Sequence, residues 1–376
     1  DEIFTQNRNR NNLYYFQKKD VENFQLSFIL NNFKPSPPIA LSSGQYSFEY
    51  LVELFGVYDN LLNFDKMKIP FRCNATDILM GEEIVFKTGT ISKALRASTS
   101  IPTVFSPVKY NEMLLVDGGV VNNLPTNLVK DMGADFTIGV NLSSENSNEI
   151  VDIFDMLQKS IGLYGMQNSK KNSQNLDILI SPDLPSVNVI NFENSIMKDL
   201  QKRGEKAARE EIQSLLNLKE KLRINNDFIK FSGLKDTFKI NSVFLNNTLI
   251  DTANKTFEIF KDTLINKNTF IKNLTNIRKS KLIYNLSYKF SEGDNNSYNL
   301  YFDYKTVEPT IIDSIIIKGN KIINSSEIAN MINFKNNDTL DANKLLNSIR
   351  KIYSLDYFQH IYYDIEHTKN NYSNLI

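Results

Sequence analysis

The stretch Leu114-Leu115-Val116-Asp117-Gly118-Gly119-Val120-Val121-Asn122-Asn123-Leu124-Pro125 decides the fold of the first part of the chain. Its apolar run ends at an acidic residue and two glycines, which is typical of a strand that enters a tight turn. Pro125 suits the first turn of a helix and Gly133 suits its C-terminal cap, so a helix is predicted over residues 125–132. Phe136-Thr137-Ile138-Gly139-Val140 then predicts a buried strand. Together these pieces predict a β-turn-α-β unit.

Around this unit, short apolar runs alternate with helical patterns as far as about Leu218, which is typical of an α/β layer fold. Residues 71–75 and 84–87 are predicted as strands, and residues 91–98 as a short helix that cannot continue past the prolines at 102 and 107. Residues 196–216 carry apolar side chains at helical spacing. We predict one amphipathic helix there, with the charges between Lys198 and Arg209 forming a solvated face rather than a binding patch.

A repeat appears beyond Lys219. Ile240-Asn241-Ser242-Val243 matches Ile312-Asp313-Ser314-Ile315, and Ile277-Arg278-Lys279 matches Ile349-Arg350-Lys351, both at an offset of 72 residues. Each unit is predicted as a strand, two helical segments and a strand rich in tyrosine and phenylalanine, over residues 283–290 and 358–365. The first unit adds a turn at residues 293–296 and a further strand at 298–304. The corresponding last strand of the second unit is expected to begin only where the sequence ends.

Composition narrows the possible functions. With 376 residues, of which 41% are hydrophobic, the chain is expected to form two or three ordered domains. Its 43 basic and 43 acidic residues create no field that would attract nucleic acid, so no nucleic-acid partner is expected. The single cysteine, Cys73, cannot form an intrachain disulfide and is interpreted as a buried, inert thiol on a strand. No metal site and no cofactor are predicted, and a metal-dependent hydrolase is disfavoured.

Only two histidines, His360 and His367, occur, and both lie in the second repeat unit. A Ser-His-Asp triad within the first part of the chain is therefore excluded, and hydrolysis there would need an aspartate as the base. We interpret His360 as structural, on a strand beside Tyr362, and place His367 in a loop. Asp117 is the most suggestive acid, expected at the carboxyl edge of an open sheet and followed by glycines that allow positive φ and close backbone approach. From spacing alone, however, it is more often a turn residue.

A longer context gives Asp117 a role. Ala94 to Val108, with Arg96-Ala97-Ser98-Thr99-Ser100-Ile101-Pro102 at its centre, then Leu115 to Pro125, then Met132-Gly133-Ala134-Asp135, resemble the second half of the patatin-like phospholipase family. Ala75-Thr76-Asp77 and Arg203-Gly204-Glu205 fall where that family has similar segments. The resemblance covers roughly the first 218 residues. It implies a Ser-Asp dyad that hydrolyses ester bonds of lipids, with Asp117 as the dyad aspartate.

The family's nucleophile is absent from the sequence. In this family the serine lies in a GxSxG turn that follows a glycine-rich oxyanion loop, and these 376 residues contain neither. Ser42-Ser43-Gly44 lacks the first glycine and, by our prediction, a following helix start. We interpret it as a segment downstream of the nucleophile. The patatin-like part is therefore expected to be N-terminally truncated and inert as it stands.

The two repeat units resemble POTRA domains, the β-α-α-β-β modules that precede outer-membrane barrels. Ile312 to Asn320 and Leu340 to Phe358 are the most typical segments. The fold class is thus expected to be α/β, with a patatin-like layered domain over residues 1–218 and two small α+β POTRA-like modules over 219–306 and 307–376, the second incomplete. This layout resembles that of patatin-type outer-membrane autotransporters, in which a barrel follows. POTRA modules can bind extended segments at a sheet edge.

Two functions remain open on the sequence alone. The first is a lipid acyl hydrolase of the phospholipase A or lysophospholipase type at the bacterial outer membrane, with its soluble part in the periplasm or at the cell surface. Its partners would be a phospholipid or other lipid ester, a membrane surface and outer-membrane assembly proteins. The second is a catalytically inactive binding or scaffold protein that uses the POTRA edges. The N-terminus lacks a signal-peptide pattern, so we expect either a cytoplasmic start or a start downstream of the true one.

Overall fold

The computed structural model describes residues 29–31, 34–36, 39–61, 63–67, 69–142, 153–185, 194–222, 231–246, 248–249, 255–280, 283–306, 309–369 and 371–376. The chain is a mixed α/β protein, as the sequence predicts. We divide it for description into an N-terminal region (residues 29–222), a middle region (231–306) and a C-terminal region (309–376).

Short strands and helices make up the N-terminal region. In chain order they are β1 (Ile29–Asn31), β2 (Lys34–Ser36), α1 (Gln45–Phe55), β3 (Cys73–Asp77), β4 (Glu82–Phe86), α2 (Ile91–Ser98), β5 (Val108–Tyr110), β6 (Met113–Asp117), α3 (Thr126–Asp131), β7 (Ile138–Val140), α4 (Ile153–Ser173), β8 (Ile178–Ile180), α5 (Asn194–Glu210) and α6 (Ile212–Lys221).

Four of these strands form an antiparallel sheet in the order β4-β3-β6-β5. Ala75 of β3 lies opposite Asp117 of β6, which fixes the register at the end of β6. Helix α2 packs on this sheet through the small side chains of Ala94 and Ala97, which let helix and sheet approach closely. The helix has the predicted bounds, and the strands β3, β4 and β6 lie within two residues of their predicted positions.

Contrary to our prediction, Asp117 does not lie at a common carboxyl edge of an open sheet. Because β6 is antiparallel to both of its neighbours, the sheet has no edge at which all strands end together. Strand β7 does not continue this sheet but pairs in parallel with β8. Ile138 and Val140 were predicted to be buried and are about half exposed, since only the opposite face of β7, at Gly139, lies against Leu176.

The helices after β6 differ in how well the sequence predicts them. Helix α3 matches its prediction, and Gly133 at its end has φ 88°, the left-handed conformation expected of a glycine cap. The single helix predicted over residues 196–216 is instead two helices that meet at Glu211, where φ is −89° and ψ is 12°. This break lets both helices place apolar side chains over β8, namely Ala207, Ala208, Leu215 and Leu218.

Helix α1 corrects our interpretation of the Ser42-Ser43-Gly44 turn, because a helix does begin directly after it. Gly44 has φ 74°, a left-handed value that glycine adopts without strain, and Gln45 opens the helix. Phe48 and Val52, four residues apart on one helix face, are fully buried. The burial of these two apolar side chains stabilises the helix, whose N-cap residue, Gly44, has no side chain of its own.

The middle and C-terminal regions share one topology, as the 72-residue repeat predicts. The middle region has β9 (Thr237–Leu245), β10 (Thr248–Leu249), α7 (Lys255–Glu258), β11 (Thr263–Asn266), α8 (Lys267–Ser280), β12 (Ile283–Glu292) and β13 (Ser297–Thr306). The C-terminal region has β14 (Ile311–Ile315), α9 (Ser325–Ala329), α10 (Ala342–Tyr353), β15 (Ile365–Lys369) and β16 (Tyr372–Leu375). In each, the first strand is parallel to the last, and the last is antiparallel to the strand before it.

The repeated residues occupy matching places in these two regions. Ile240 and Ile312 are buried on the first strands, and Ile277 and Ile349 are buried on the helices that cover the sheets. In the middle region, the predicted turn at residues 293–296 joins β12 and β13, with Asn295 and Asn296 at positive φ. The two regions thus share an arrangement of three strands, to which the middle region adds β10 and β11.

The end of the C-terminal region departs from our predictions. Residues 358–364 are not a strand; the strand β15 begins only at Ile365 and places His367 in the sheet rather than in a loop. The last strand, which we expected to begin where the sequence ends, is present as β16. The error has a physical cause, because the partly buried Ile361 and the buried Tyr363 belong to the core shared with α1 of the N-terminal region and not to a strand ladder.

The C-terminal region packs directly against α1. Its core includes Leu345, Leu346 and Ile349 of α10, and it continues without a break into Phe48 and Val52 of α1. The middle region has a separate core, which is rich in phenylalanine. The C-terminal and N-terminal regions are therefore joined by shared apolar packing.

Candidate active site

Asp117 lies at the end of β6, immediately before a 3-10 turn over Gly118–Val120. Its backbone N–H donates to the Ser100 carbonyl at 2.9 Å, and its Oδ1 accepts the Gly119 N–H at 2.7 Å. Burial raises the pKa of Asp117, and the Gly119 hydrogen bond partly offsets this rise. The carboxylate is thus fixed in place and made more basic than an aspartate in water.

The two glycines after Asp117 serve close packing and not positive φ, so only part of our prediction held. Neither residue is among the glycines with positive φ. A Cβ on Gly118 would lie 2.5 Å from the Asn74 carbonyl oxygen, and one on Gly119 would lie 2.6 Å from Asn123 Oδ1. A side chain at position 118 would push the loop away from β3.

Asparagines hold the loop that follows, which we call the Asp117 loop (residues 117–124). Asn74 of β3 donates its Nδ2 to Glu83 at 2.7 Å and to the Asn122 carbonyl at 2.9 Å. Asn172 of α4 donates to the Leu124 carbonyl at 2.9 Å. Sequence reasoning missed this network, since asparagine is frequent throughout the chain and carries no periodic signal.

Arg96 of α2 supports the same site from the other side. The guanidinium is fully buried and donates to Ser100 Oγ at 2.5 Å and to the carbonyls of Ser43, Gly44 and Ser106 at 3.0 Å each. Ser100 is the residue whose carbonyl accepts the Asp117 N–H. Burial lowers the pKa of Arg96, although a guanidinium keeps its charge at any ordinary pH.

Ser42 and Ser43 make hydrogen bonds away from Asp117. Ser42 Oγ accepts the Gly44 N–H at 3.1 Å, and Ser43 Oγ accepts the Gln45 N–H at 3.3 Å. Ser43 Oγ also lies 3.3 Å from the Tyr353 hydroxyl of α10. Both hydroxyls thus cap the start of α1 or face the C-terminal region, which fits our interpretation that neither is the nucleophile.

The histidines and the cysteine occupy structural positions. His360 is largely buried, stacks on Tyr362 at 5.8 Å between ring centroids, and has its pKa lowered to about 4, first by burial and then by the Arg96 charge. His367 Nδ1 lies 2.8 Å from Ser373 Oγ. Burial raises the pKa of Cys73 to about 12, so its thiol is not a nucleophile at neutral pH.

Neither a metal cluster nor a membrane-spanning helix occurs among the residues that the structure describes. Histidine, cysteine, aspartate and glutamate side chains do not gather there in any group of three that could hold a metal ion. The helices in the described part of the chain are too short or too polar to cross a membrane.

Two family models match the chain. A model described as patatin-like phospholipase matches residues 5–130, which include Asp117 and its loop. A model described as POTRA, surface antigen variable number repeat, matches residues 310–375. The chain therefore carries a patatin-like region at its N-terminus and a POTRA region at its C-terminus.

Curated relatives share the patatin-like part. An uncharacterized NTE family protein of Mycobacterium tuberculosis (strain H37Rv) is 35% identical over 88 residues, or 23% of this chain and 24% of the relative. A second protein so described in that strain is 40% identical over 74 residues, or 20% of this chain and 12% of the relative. The lysophospholipase NTE1 of Meyerozyma guilliermondii is 33% identical over 89 residues, or 24% of this chain and 6% of the relative. The matches thus span a quarter or less of each relative.

Among solved structures, the chain aligns with POTRA domains 3 to 5 of BamA from Haemophilus influenzae. The alignment has a TM-score of 0.29 and 8% sequence identity, and it covers 38% of this chain and 60% of that one.

Proposed function

We propose that this protein is a serine hydrolase of lipid esters, of the phospholipase A or lysophospholipase type, in which Asp117 is the base of a Ser-Asp dyad. The observation that carries the proposal is the Asp117 carboxylate. It ends a strand within the patatin-like segment, it is shielded from most water, and its Oδ1 is held by the Gly119 N–H. The serine is to be sought outside these 376 residues, which contain no GxSxG.

In this mechanism Asp117 takes up and returns one proton in each half-reaction. The side-chain hydrogen bond that it makes in the described structure uses Oδ1, which leaves Oδ2 to accept the serine hydroxyl proton. The serine oxygen attacks the ester carbonyl carbon, and Asp117 returns the proton to the departing alcohol. Water then attacks the acyl carbon with Asp117 as the base, the bond between the acyl carbon and the serine oxygen breaks to release the fatty acid, and Asp117 returns the proton to the serine oxygen. Burial helps, since the raised pKa of Asp117 makes it a stronger base.

The remaining regions suggest where the enzyme acts. We take the patatin-like domain as residues 1–218 and two POTRA-like modules as residues 219–306 and 307–376, with the common topology of the middle and C-terminal regions in support. POTRA modules are typical of outer-membrane assembly proteins, so we place the protein at a bacterial outer membrane. Its soluble part would lie in the periplasm or at the cell surface. Its partners would be membrane lipids and outer-membrane assembly proteins.

The test compares two forms of the protein. The gene is translated upstream of Asp1, and the longer product and the 376-residue chain are assayed on p-nitrophenyl esters and on phospholipid and lysophospholipid vesicles. The longer product should turn over, whereas the 376-residue chain should not. In the longer product, Asp117→Asn should lower kcat at least about a hundredfold with little change in Tm, because the amide oxygen can still accept the Gly119 N–H but cannot take a proton.

Three results would contradict the proposal. Wild-type turnover in Asp117→Asn would remove this residue from the mechanism. Turnover by the 376-residue chain that is lost on replacing Ser42, Ser43 or Ser98 with Ala would place the nucleophile inside these residues. A longer product with no GxSxG and no turnover would favour the second function, a catalytically inactive scaffold.

A further inference from the structure

Asn122 uses every one of its hydrogen-bonding groups. Its side-chain Nδ2 donates to Glu83 Oε1 at 2.9 Å and to Asn127 Oδ1 at 3.1 Å, and its Oδ1 accepts from Asn172 Nδ2 at 3.0 Å. Its backbone N–H donates to the Gly118 carbonyl at 2.8 Å, and its carbonyl accepts from Asn74. Only 5% of the residue is exposed. A buried side-chain amide whose donors and acceptor are all hydrogen-bonded is tightly constrained, because each lost bond would leave a partner unpaired.

These bonds close the Asp117 loop on itself and onto the sheet. The bond from the Asn122 N–H to the Gly118 carbonyl spans the turn that begins directly after Asp117. Asn74 of β3 and Glu83 of β4 both form hydrogen bonds with Asn122. The backbone of Gly118, at the start of the loop, packs against Asn74. The position of Gly119, whose N–H holds the Asp117 carboxylate, therefore depends on where Asn122 is held.

Helix α4 holds the loop from its other side. Gly165, Asn168 and Asn172 are spaced three and four residues apart, so they share one face of the helix. A Cβ on Gly165 would lie 2.0 Å from the Gly119 carbonyl oxygen, and Asn168 donates to the Val121 carbonyl at 2.8 Å. Asn172 completes the row through its bond to Asn122. The loop is thus clamped between the sheet and α4, and Asn122 binds both.

We propose that Asn122 is the positioning residue of the dyad aspartate, acting through the Asp117 loop and not by contact with substrate. The inference rests on the proposed function of Asp117. An amide is required because Glu83 accepts from Nδ2 while Asn172 donates to Oδ1. Aspartate has the same shape but no donor, and it would place a carboxylate against Glu83. Asn122→Asp therefore changes the hydrogen bonding with almost no change in volume.

The first measurement is amide hydrogen exchange by NMR on the 376-residue chain, which needs no activity. Asn122→Asp and Asn122→Ala should each speed exchange of the Gly119 N–H about tenfold or more, because the loop opens locally when its bonds are lost. Amides of β9 and β13 in the middle region serve as an internal reference and should not change. Asn217→Asp, the same substitution at an exposed residue of α6 outside the Asp117 loop, is the matched control and should leave Gly119 exchange within about twofold, because an aspartate there can still accept from Gln213.

The second measurement is steady-state kinetics of the longer, active product. Asn122→Asp should lower kcat about tenfold or more with KM nearly unchanged, since Asn122 places the base and binds no substrate. Adding Glu83→Gln should recover much of the loss, because the amide nitrogen of the introduced glutamine can donate to the new carboxylate while its oxygen still accepts from Asn74. The value of kcat is normalised to the concentration of folded enzyme, measured by circular dichroism on the same samples. A purely structural role lowers only the folded fraction, and the normalised kcat would then equal that of wild type.

The outcomes separate the two proposals. Unchanged Gly119 exchange in both Asn122 variants overturns the inference, whatever the enzyme does. Faster Gly119 exchange in the Asn122 variants with unaltered kcat also overturns the inference, provided that Asp117→Asn inactivates the enzyme. In that case the loop would not determine the position of Asp117. Faster exchange in Asn122→Ala together with wild-type turnover in Asp117→Asn supports the holding role of Asn122 and overturns the proposed function instead.

Discussion

At the scale of single residues, the Asp117 loop depends on how closely two backbone segments approach. Gly118 lies against Asn74, whose carbonyl oxygen would be 2.5 Å from any Cβ at position 118. The nearest atom is backbone and cannot rotate away, so the strand or the loop would have to shift. Gly204 of α5 is the opposite case, since nothing in the described structure lies within 4 Å of its Cβ position.

We therefore expect Gly118→Ala to lower the free energy of unfolding of the N-terminal region by about 2 to 3 kcal/mol, the upper part of the range for overpacking. Gly204→Ala, the matched control, should raise it by about 0.5 to 1 kcal/mol, because alanine favours the helix interior over glycine. Urea titrations followed by circular dichroism give both values. A Gly118→Ala variant as stable as wild type would mean that the loop is not packed on β3 as described.

The sequence predicted Asp117 as a residue but not its surroundings. Its position was accessible because a local pattern, an apolar run followed by Asp-Gly-Gly, marks the end of a strand. The network around it was not accessible, since Asn74, Asn122 and Asn172 come together from segments about 50 residues apart. No local period links those positions, and only the folded chain brings their amides into contact.

At the scale of elements, α2 acts as the support between the sheet and the loops around Asp117. Its bounds were predictable because a short helical pattern and the prolines that follow it at 102 and 107 are local signals. Its central role was not, because it rests on Arg96. This buried cation donates to hydroxyl and carbonyl oxygens of three separate segments. Such a set of neutral acceptors leaves no charge pattern in the sequence.

Replacing Arg96 with methionine should cost about 3 kcal/mol or more of unfolding free energy. The substitution keeps an unbranched side chain but takes the guanidinium donor away from the Gly44 carbonyl and the Ser100 hydroxyl, whose hydrogen bonds to Arg96 are buried, and each such loss costs about 1 to 3 kcal/mol. Arg209→Met on α5 is the control. Arg209 is exposed and pairs with Glu205 four residues earlier, so its replacement should change the free energy of unfolding by no more than about 0.5 kcal/mol.

Equal stability of the two variants in urea titrations would contradict this account of α2. Arg96→Lys refines the comparison, because a lysine keeps the charge but cannot reach all four acceptors at once. The free energy of unfolding of Arg96→Lys should lie between those of wild type and Arg96→Met.

At the scale of the whole molecule, the C-terminal region is held against the N-terminal region by polar contacts around the shared core. Lys93 of α2 pairs with Asp364 at 2.5 Å, and Glu49 of α1 pairs with Arg350 of α10 at 3.0 Å. Asp59 is fully buried between the regions. It accepts hydrogen bonds from Ser92 and from the Tyr363 hydroxyl.

The sequence predicted each repeat unit but not this arrangement. The strand and helix pattern of a unit is local, and the offset of 72 residues makes it visible. The contacts between regions join residues far apart in the chain, such as Asp59 and Tyr363, and nothing in the sequence indicates them. The same contacts explain why residues 358–364 were mistaken for a strand, because their apolar side chains face α1 and α2.

The buried Asp59 makes this interface sensitive to pH. Burial raises its pKa to about 6 from an ordinary 3.8, against the smaller opposing effect of its hydrogen bonds. Between these two values the folded protein holds a proton that the unfolded chain has lost. Asp59 thus contributes stability that is full below about pH 3.8 and is lost as the pH rises through about 6. The difference between the two pKa values corresponds to about 3 kcal/mol of unfolding free energy.

Asp59→Asn should remove this dependence, since the amide keeps the shape of the neutral acid and does not titrate. The stability of wild type relative to Asp59→Asn should therefore fall by about 2 to 3 kcal/mol between about pH 4 and pH 7. Urea unfolding of both proteins over this range measures it. His360, whose pKa is lowered to about 4, acts in the opposite direction, but it is present in both proteins and cancels in the comparison.

Tyr363→Phe provides a second variant for the same measurement. The Tyr363 hydroxyl donates to Asp59 and lowers its pKa, so its removal should raise that pKa further and extend the loss of stability to higher pH. A difference between wild type and Asp59→Asn that stays constant over the same pH range would contradict the burial of Asp59 as an acid. The contact between Tyr363 of the C-terminal region and Asp59 of the N-terminal region would then not form in solution as it does in the structure, because in that contact Asp59 is fully buried.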